Sequence, residues 1–248
     1  MVSIKTQEEI AIMAEGGKIL ATVLKEIEKM VAPGITTLQL DRAAEALILK
    51  HGAKPAFKGY EGFGYSLCAS VNDVIVHGLP SKYALQNGDI IGLDLGVKWR
   101  GYNTDMAVTV PVGEVSFEAQ RLMQVTKKAL RLGIKKVRPG ITIGDIGNTI
   151  QRFVEDQAFG VVKDLCGHGI GKEVHEDPQI PNYGDRHKGL KLQEGMVICI
   201  EPMVTQGTWQ IKRAKDGYSF ATRDGLLGAH FEHTLAITKD GCKVLTLI

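Results

Sequence analysis

A short internal repeat constrains the fold of this chain more than any other feature of its sequence. The tetrapeptide Pro-Gly-Ile-Thr occurs at residues 33–36 and again at residues 139–142, an offset of 106. Residues 88–94, GDIIGLD, resemble residues 195–201, GMVICIE, at an offset of 107. Because both matches share nearly one offset and one order of elements, we predict a duplicated α/β half within a single domain spanning 1–248. The two pseudo-repeats cover about 1–110 and 111–248.

Each copy of the tetrapeptide separates two stretches with the apolar periodicity of amphipathic helices. The predicted helices span residues 6–31, 36–51, 117–137 and 142–157. Three of them begin with the spacing of a capping box, namely Thr6 with Glu9, Thr36 with Gln39 and, in a weaker version, Thr142 with Asp145. These local signals predict where the helices start.

The composition of the 248 residues excludes several classes of protein. Lys and Arg number 30 and Asp and Glu 28, and this net charge of +2 argues against a dedicated nucleic-acid surface. No stretch approaches the ~18 apolar residues of a membrane span, and the N-terminal segment, with acids among its apolar residues, does not resemble a signal peptide. The four cysteines are far apart and are expected to be reduced. We therefore expect a soluble, cytoplasmic, globular protein.

Two β-branched, apolar runs at residues 90–97 and 104–110 predict a hairpin with a short loop at 98–101. Asp94 and Asp105 are equidistant from the Trp99–Arg100 bond, so we expect them to face each other across the two strands. Two such aspartates among apolar neighbours repel and are costly to bury, and a shared cation is the simplest compensation. The alternatives are a register slip that separates them, or one aspartate at a solvated rim.

Three further residues extend this carboxylate pair into a candidate metal site. His168 is framed by glycines in the segment CGHGIG, where the backbone can approach closely. Glu201 and Glu232 each lie in an otherwise apolar strand, and unpaired interior glutamates are rare. Four carboxylates with one imidazole suit two hard or borderline divalent ions. Such ions, ~3.5–4 Å apart, activate water and stabilise a tetrahedral intermediate.

The remaining histidines carry weaker signals. His77 and His175 lie in turn-rich segments, where each could equally be an ordinary surface residue. His233 follows Glu232 directly, so it should point to the opposite face of the strand. No role is assigned to four histidines: His51, His187, His230 and His233.

Seven segments resemble those of the methionine aminopeptidases, a family of metallopeptidases with the pita-bread fold. In chain order they are NDVIVHGLP, GDIIGLDLG, GYNTDMAVT, GHGIG, VHEDP, CIEPM and FEHTLAIT, and they cover most of the chain from Phe57 onward. The resemblance implies an α+β fold in which pseudo-twofold-related α/β halves form a curved antiparallel sheet covered by helices. The close spacing of His175 and Glu201 resembles the type I subfamily, and the N-terminal region resembles the short, bacterial-like form.

The resemblance implies a metal-dependent aminopeptidase that removes the initiator methionine from nascent proteins and prefers a small second residue. It implies two divalent ions (Co, Mn, Fe, Ni or Zn) bound by Asp94, Asp105, His168, Glu201 and Glu232. Asp105 and Glu232 would bridge both ions, and Glu201 would be the general base for the bridging water or hydroxide that attacks the substrate. His175 would steady the scissile carbonyl, an oxyanion-type role, and His77 would contact the amide.

By the same resemblance, the methionine side chain binds near Tyr60, Phe63, Cys68, Val174 and Tyr218. Many relatives have phenylalanine at the position of Val174, and several have tryptophan at that of Tyr218. These departures leave the chemistry unchanged and predict looser selectivity for the side chain. The implied partners are nascent polypeptide N-termini, met at the ribosome. We expect a monomer without a nucleic-acid or membrane partner.

Two other functions are compatible with this fold. A proline-directed peptidase shares the ligand set, but its relatives carry an extra N-terminal domain for which this chain has no room. A catalytically inactive pita-bread binding module would have lost ligands, whereas all five are present. A structural metal site would favour tetrahedral Cys and His ligands, which the sequence does not supply.

Overall fold

The computed structural model describes residues 2–248 of the chain. Four α-helices lie within them: α1 (Gln7–Met30), α2 (Thr37–Lys50), α3 (Phe117–Lys136) and α4 (Ile143–Asp156). The predicted capping boxes are present at Thr6, Thr36 and Thr142, and the Ser116 hydroxyl caps α3 by accepting from the Ala119 N–H. Local hydrogen bonds therefore set the helix boundaries where the sequence predicted them. None of these four helices is both long enough and apolar enough to cross a membrane.

Short strands make up most of the remaining regular structure of residues 2–248. In chain order they are β1 (Lys54–Pro55), β2 (Leu67–Val71), β3 (Val74–Val76), β4 (Ile90–Trp99), β5 (Tyr102–Pro111), β6 (Gly160–Val161), β7 (Gly167–Gly169), β8 (Glu176–Ile180), β9 (Val197–Ile200), β10 (Met203–Thr205), β11 (Ile211–Arg213), β12 (Phe220–Thr222), β13 (Gly228–His230), β14 (His233–Thr238) and β15 (Gly241–Val244). One 3-10 turn, η1, spans Tyr60–Gly62.

These strands pair only in the antiparallel sense. β4 is central in a four-stranded sheet, with β5 along one edge and β1 and β2 along the other. A five-stranded sheet has the order β15-β14-β9-β7-β8, and two three-stranded sheets have the orders β13-β10-β6 and β11-β12-β3. Antiparallel sheets covered by helices confirm the predicted α+β class.

The hairpin of β4 and β5 has a tighter turn than the one predicted. Trp99 pairs with Tyr102, so the turn consists of Arg100 and Gly101 alone. Both residues have positive φ angles, 46° and 89°. Two central residues with positive φ are typical of the type I′ turn, whose twist matches that of the flanking strands. The centre of the hairpin therefore lies one residue later than the sequence suggested.

This shift changes how the two aspartates of the hairpin face each other. Asp94 pairs with Ala107, and Asp105 pairs with Gly96, so the predicted direct opposition of Asp94 and Asp105 is wrong. Because moving the centre by one residue moves the pairing by two, the side-chain parity is preserved. The aspartates remain on one face of the sheet as diagonal neighbours, which are still close enough for their side chains to interact.

Two threonine hydroxyls join β5 to the region of β13 and β14. Thr234 Oγ1 accepts from the Asp105 N–H at 2.9 Å and donates to the Asp105 carbonyl at 2.8 Å. Thr109 Oγ1 makes the same two bonds with His230, accepting from its N–H at 2.9 Å and donating to its carbonyl at 2.8 Å. These paired bonds hold the carboxylate-bearing segments of the first and second halves of the chain side by side.

Hydrophobic cores lie on the helical side of each half. One core combines α1 and α2 with β2 and β4, and another combines α3 and α4 with β9 and β14. The two copies of the Pro-Gly-Ile-Thr tetrapeptide are used alike, because Thr36 forms an isolated bridge with Ala84 and Thr142 forms one with Lys191. A duplication would produce this equivalence, and a single domain made of two related halves stays our prediction.

The C-terminal segment is part of the packing. The Leu245 N–H donates to the Thr234 carbonyl at 2.9 Å. The Thr246 hydroxyl accepts from the Thr234 N–H at 3.3 Å and lies 2.8 Å from His233 Nδ1. The same segment also packs against α1, where a β-carbon at Gly17 would collide with the Leu245 carbonyl. A glycine is required there because the helix lies directly on this backbone.

Candidate active site

A single cavity of about 510 Å³ is lined by every site residue that the sequence predicted. The polar members are His77, Asp94, Asp105, His168, His175, Glu201 and Glu232, and the members expected to bind a side chain are Tyr60, Phe63, Cys68, Val174 and Tyr218. They come from segments far apart in the sequence, between η1 and the start of β14. The fold therefore assembles one site from both halves of the chain.

Three carboxylates meet at the floor of this cavity. Asp94, Asp105 and Glu232 each offer an oxygen, and these oxygens lie within 4.8 Å of one another. The side chains are buried, and Asp94 Oδ1, Asp105 Oδ1 and Glu232 Oε1 form no hydrogen bond with any described group. The hairpin positions the aspartates, while the Glu232 N–H donates to the Ala107 carbonyl of β5 at 2.9 Å. Buried carboxylate oxygens without partners need a cation or a proton.

The pKa shifts of the carboxylates in the cavity agree with their need for a cation or a proton. Burial raises the pKa of Asp105 and Glu232 well above the usual range, and the neighbouring carboxylates raise both further. Burial also raises the pKa of Glu201 well above its usual range, with Asp94 as the second cause. The pKa of Asp94 is raised by burial, although His230 and a hydrogen bond with Asp105 oppose the shift. These shifts favour the protonated acids when no cation is bound, so metal binding is expected to release protons.

His168 completes the cluster from strand β7. Its Nδ1–H donates to the Gly169 carbonyl at 2.9 Å, which leaves the Nε2 lone pair free. Burial lowers the pKa of His168 to about 3, so the ring is neutral at physiological pH. Nε2 lies 3.4 Å from Glu201 Oε1 and 4.0 Å from Glu232 Oε1. A lone pair directed at carboxylate oxygens is the arrangement of a metal ligand whose tautomer is fixed by a backbone carbonyl.

The donor set therefore fits divalent cations. It combines four carboxylates and one neutral imidazole, with three buried oxygens that no group in residues 2–248 satisfies. Cys199, which the sequence analysis passed over, also lies within 4.8 Å of the ligand atoms of His168 and Glu232. Burial raises the pKa of the Cys199 thiol well above its usual range, which favours the thiol over the thiolate while no cation is bound.

His175 lies beside this cluster, at the start of β8. Its ring centroid is 4.4 Å from that of His168, with the two planes perpendicular. The Tyr60 hydroxyl lies 3.2 Å from His175 Nδ1. Burial lowers the pKa of His175, which favours the neutral ring. If the Tyr60 hydroxyl donates to Nδ1, Nε2 carries the hydrogen and is available as a donor to a ligand.

The loop before His175 is held from two directions. Asn103, two residues before Asp105 on β5, donates from Nδ2 to the Gly171 carbonyl at 3.1 Å and to the Lys172 carbonyl at 2.9 Å. From the N-terminal segment, Lys5 Nζ reaches a carboxylate oxygen of Glu176 at 2.7 Å. The loop is therefore tied both to the strand that carries Asp105 and to the segment preceding α1.

His77 follows β3 in an unusual backbone conformation, with φ of 58°. Positive φ is uncommon for a residue other than glycine and clusters at functional sites. The ring stacks edge-on against Phe220 with centroids 5.8 Å apart, and the Ser219 hydroxyl donates to the His77 carbonyl at 3.2 Å. Burial lowers the pKa of His77 to about 4. The structure thus places a neutral imidazole at the cavity wall.

The apolar end of the cavity is a compact cluster of Phe57, Phe63, Cys68 and Val174, all buried. Tyr218 is 39% exposed and lies with its ring centroid 6.0 Å from that of Phe63, so it forms part of the rim. A floor of carboxylates beside an apolar compartment suits a ligand that carries both a polar group and an apolar side chain.

One histidine to which no role was assigned lies beside Glu201. His230 is buried, and its Nε2 lies 3.3 Å from Glu201 Oε2. The sequence contained a signal for this position. Side chains two residues apart in an extended segment point to the same side, so His230 should lie on the same side as Glu232. His233 does lie on the opposite side from Glu232, against Thr246, as expected. The residues that line the cavity but were not predicted are Phe57, Glu61, Arg213, Gly217 and Phe220.

Comparison with known proteins identifies the family. The sequence profile of metallopeptidase family M24 matches residues 11–239. The chain is 47% identical to a methionine aminopeptidase of Clostridium perfringens over the whole length of both. It is 46% identical to methionine aminopeptidase 1 of Bacillus subtilis, again over both complete chains.

The chain belongs to the methionine aminopeptidases of metallopeptidase family M24. A crystal structure of the methionine aminopeptidase of Thermotoga maritima superposes on it with a TM-score of 0.98, at 44% identity and full coverage of both chains. The fold is therefore the predicted pita-bread fold of this family, and the chain is a metallopeptidase.

Proposed function

We propose that this metallopeptidase removes the N-terminal methionine of nascent proteins and peptides, prefers a small second residue and uses two divalent ions. The observation that carries the proposal is the buried group of Asp94, Asp105 and Glu232. Their oxygens lie within 4.8 Å of one another, and three of them have no hydrogen-bond partner in the described part of the chain. The names of its full-length relatives support methionine as the residue released.

This geometry and the family resemblance support the residues assigned to the ions. The two ions would be held by Asp94, Asp105, His168, Glu201 and Glu232. When bound, divalent ions polarise a carbonyl oxygen and lower the pKa of water. Whether the native metal is Co, Mn, Fe, Ni or Zn depends on availability as well as on these ligands.

Glu201 is the proposed general base. It lies at the edge of the cluster, with Oε1 3.4 Å from His168 Nε2. As a base it takes a proton from the attacking water and then delivers that proton to the nitrogen of the leaving amine. General acid–base catalysis of this kind contributes typically ~10²–10⁴-fold to the rate.

His175 and His77 are the proposed polar contacts to the peptide. With the Tyr60 hydroxyl donating to Nδ1, His175 presents Nε2–H to the scissile carbonyl oxygen, where negative charge develops. His77, held neutral by burial, would hydrogen-bond the peptide amide. These contacts orient the peptide bond without adding charge to the site.

The apolar cluster is the proposed binding site for the methionine side chain. Phe63, Val174 and Cys68 form its buried wall, and Tyr60 and Tyr218 contribute aromatic surface nearby. A flexible thioether suits such a compartment because sulfur makes favourable contacts with aromatic ring edges. A cytoplasmic monomer that acts on nascent chains at the ribosome stays part of the proposal.

Peptide hydrolysis tests this function directly. The enzyme stripped with a chelator and reloaded with Mn²⁺ or Co²⁺ is expected to release methionine from Met-Ala-Ser. It should cleave Met-Lys-Ser far more slowly and leave Ala-Pro peptides intact. Cleavage of Ala-Pro in preference to Met-Ala would instead identify a proline-directed peptidase. Absence of cleavage under every metal condition would identify an inactive binding module.

A further inference from the structure

Glu201 has an imidazole beside each of its carboxylate oxygens. His168 Nε2 lies 3.4 Å from Oε1, and His230 Nε2 lies 3.3 Å from Oε2. The two imidazoles differ in chemistry. His168 donates through Nδ1 to a backbone carbonyl, so the atom that faces Glu201 carries a lone pair. The proposed function gives His168 a metal ion to bind, but it assigns nothing to His230.

The position of His230 is fixed by its backbone. Both its N–H and its carbonyl are bound to the Thr109 hydroxyl of β5, at 2.9 and 2.8 Å, and it pairs with Met203 in the ladder of β10 and β13. The residue is 3% exposed. Its ring therefore has little freedom to turn away from Glu201 toward solvent.

His230 Nε2 has one obvious partner. The atom is buried, and among residues 2–248 it forms no hydrogen bond of standard geometry, although Glu201 Oε2 is only 3.3 Å away. Leaving a buried polar atom unpaired is costly, and a small rotation of either side chain completes the bond. With a cation bound, the Glu201 carboxylate is ionised and can only accept, so the hydrogen then resides on Nε2.

We propose that His230 is a positioning residue for Glu201. Its ring donates Nε2–H to Glu201 Oε2 and holds the carboxylate so that Oε1 faces the side of the cavity occupied by His168. This inference rests on the proposed role of Glu201 as the general base. It predicts that loss of the donor impairs turnover, while peptide binding and metal binding are retained.

Three substitutions distinguish the effect of the Nε2–H donor from the effect of the size of the ring. His230→Leu removes the donor and keeps an apolar side chain of comparable size. His230→Gln places an amide N–H at nearly the same distance from the backbone as Nε2, whereas His230→Asn places it nearer, at the level of Nδ1. We expect kcat to fall about tenfold or more in His230→Leu and His230→Asn. This is the usual scale of the effect when a residue that orients an active-site group through a hydrogen bond is lost. His230→Gln should recover most of the activity.

The readouts distinguish positioning from a structural or ligand role. KM for Met-Ala-Ser and the metal affinity from calorimetry should change little in all three variants. In the wild-type enzyme loaded with Zn²⁺, long-range ¹H–¹⁵N spectra should show the His230 ring, assigned through its loss in His230→Gln, as the Nε2–H tautomer. This spectrum needs only the wild-type protein and the Gln variant, so a Leu variant that fails to fold leaves the test intact.

Several outcomes would overturn the inference. These are an Nδ1–H tautomer, wild-type kcat in folded His230→Leu, or a loss of activity that excess metal restores, which would make His230 a ligand. Glu201→Gln measured in parallel keeps the two proposals apart. If Glu201→Gln is inactive while His230→Leu is unimpaired, only the positioning role fails. If Glu201→Gln is fully active, the role of Glu201 as the base fails first.

Discussion

The ammonium group of Lys5 lies 2.7 Å from a carboxylate oxygen of Glu176, and the lysine side chain is only 3% exposed. The other Glu176 oxygen accepts from the Glu173 N–H at 3.2 Å. A buried ion pair thus connects the segment before α1 to the loop that carries Val174 and His175. Removing one partner of such a pair leaves an uncompensated charge in the protein.

We expect Lys5→Met to lower the free energy of unfolding by about 3–5 kcal/mol, the range for breaking a buried pair. The double variant Lys5→Met with Glu176→Gln should recover much of that loss, because Gln removes the charge and still accepts from the Glu173 N–H. Urea unfolding of the wild type, both single variants and the double variant gives the coupling energy. A coupling energy near zero would show that the pair contributes nothing to the stability of this loop.

Asp105 is expected to be essential for binding two ions. Asp105→Ala removes an acid whose oxygen converges with those of Asp94 and Glu232. Calorimetry with Mn²⁺ should show two tight sites in the wild type and the loss of at least one of them in the variant. Asp240→Ala, at an exposed position, is the matched control. Unchanged stoichiometry in Asp105→Ala would refute the dinuclear assignment.

The proton-transfer role of Glu201 predicts a large kinetic effect of a small chemical change. Glu201→Gln preserves size but cannot accept the proton, so turnover on Met-Ala-Ser should fall by at least ~10²-fold. Metal binding should be partly retained, which calorimetry of the same preparation will establish. Glu194→Gln, an exposed glutamate on the turn before β9, is the control and should keep wild-type turnover. Near-normal activity of metal-saturated Glu201→Gln would remove Glu201 from this role.

Stability should depend on pH through His233. Burial lowers the pKa of His233 from 6.5 to about 4, with Lys127 as the second cause. Between these values the unfolded chain binds a proton that the native ring does not, so stability falls as the pH falls from about 6.5 to about 4. One such group changes the free energy of unfolding by at most about 1.4 kcal/mol per pH unit.

Replacing this ring tests the effect. In urea unfolding between pH 7 and pH 4.5, His233→Gln should lose less stability on acidification than the wild type. His187→Gln, which removes a ring whose side chain is 86% exposed, should follow the wild-type curve. Identical pH dependence in His233→Gln and wild type would show that His233 does not have a lowered pKa in the native state.

Val174 is expected to set the breadth of the methionine compartment. It is 4% exposed and packs with Phe57, Phe63 and Cys68. A larger side chain there narrows the compartment, and contacts of this kind discriminate by about 1–3 kcal/mol per methylene group. Val174→Phe should therefore raise the ratio of kcat/KM for Met-Ala over Leu-Ala, with Val174→Ile intermediate. An unchanged ratio in both variants would make Val174 a packing residue only.

How well the sequence predicted the structure depended on how local each signal was. The helix starts were predicted well because a capping box is complete within four residues, as at Thr36 and Gln39. The pairing of Asp94 with Ala107 was missed, because the register depends on a turn whose type is decided by the φ angles of Arg100 and Gly101. The strict alternation of strand side chains still placed both aspartates on one face.

The site as a whole needed more than local signals. The position of His230 beside Glu201 depends on the Thr109 hydroxyl of β5, which binds the His230 backbone. Thr109 and His230 are 121 residues apart in the sequence. Likewise, Phe57 reaches the apolar wall through the packing of the loop before η1. Such long-range placements follow from how the sheets meet, and no pattern within either segment encodes them.

The hydrogen bonds of Thr246 have a consequence for the order of events in synthesis. This residue supports the strand of Thr234, whose hydroxyl in turn holds Asp105. Ribosomes release a chain from its N-terminal side onward, so Thr234 and Thr246 emerge long after Asp105. Until both threonines have been released, the backbone of Asp105 lacks these supporting hydrogen bonds.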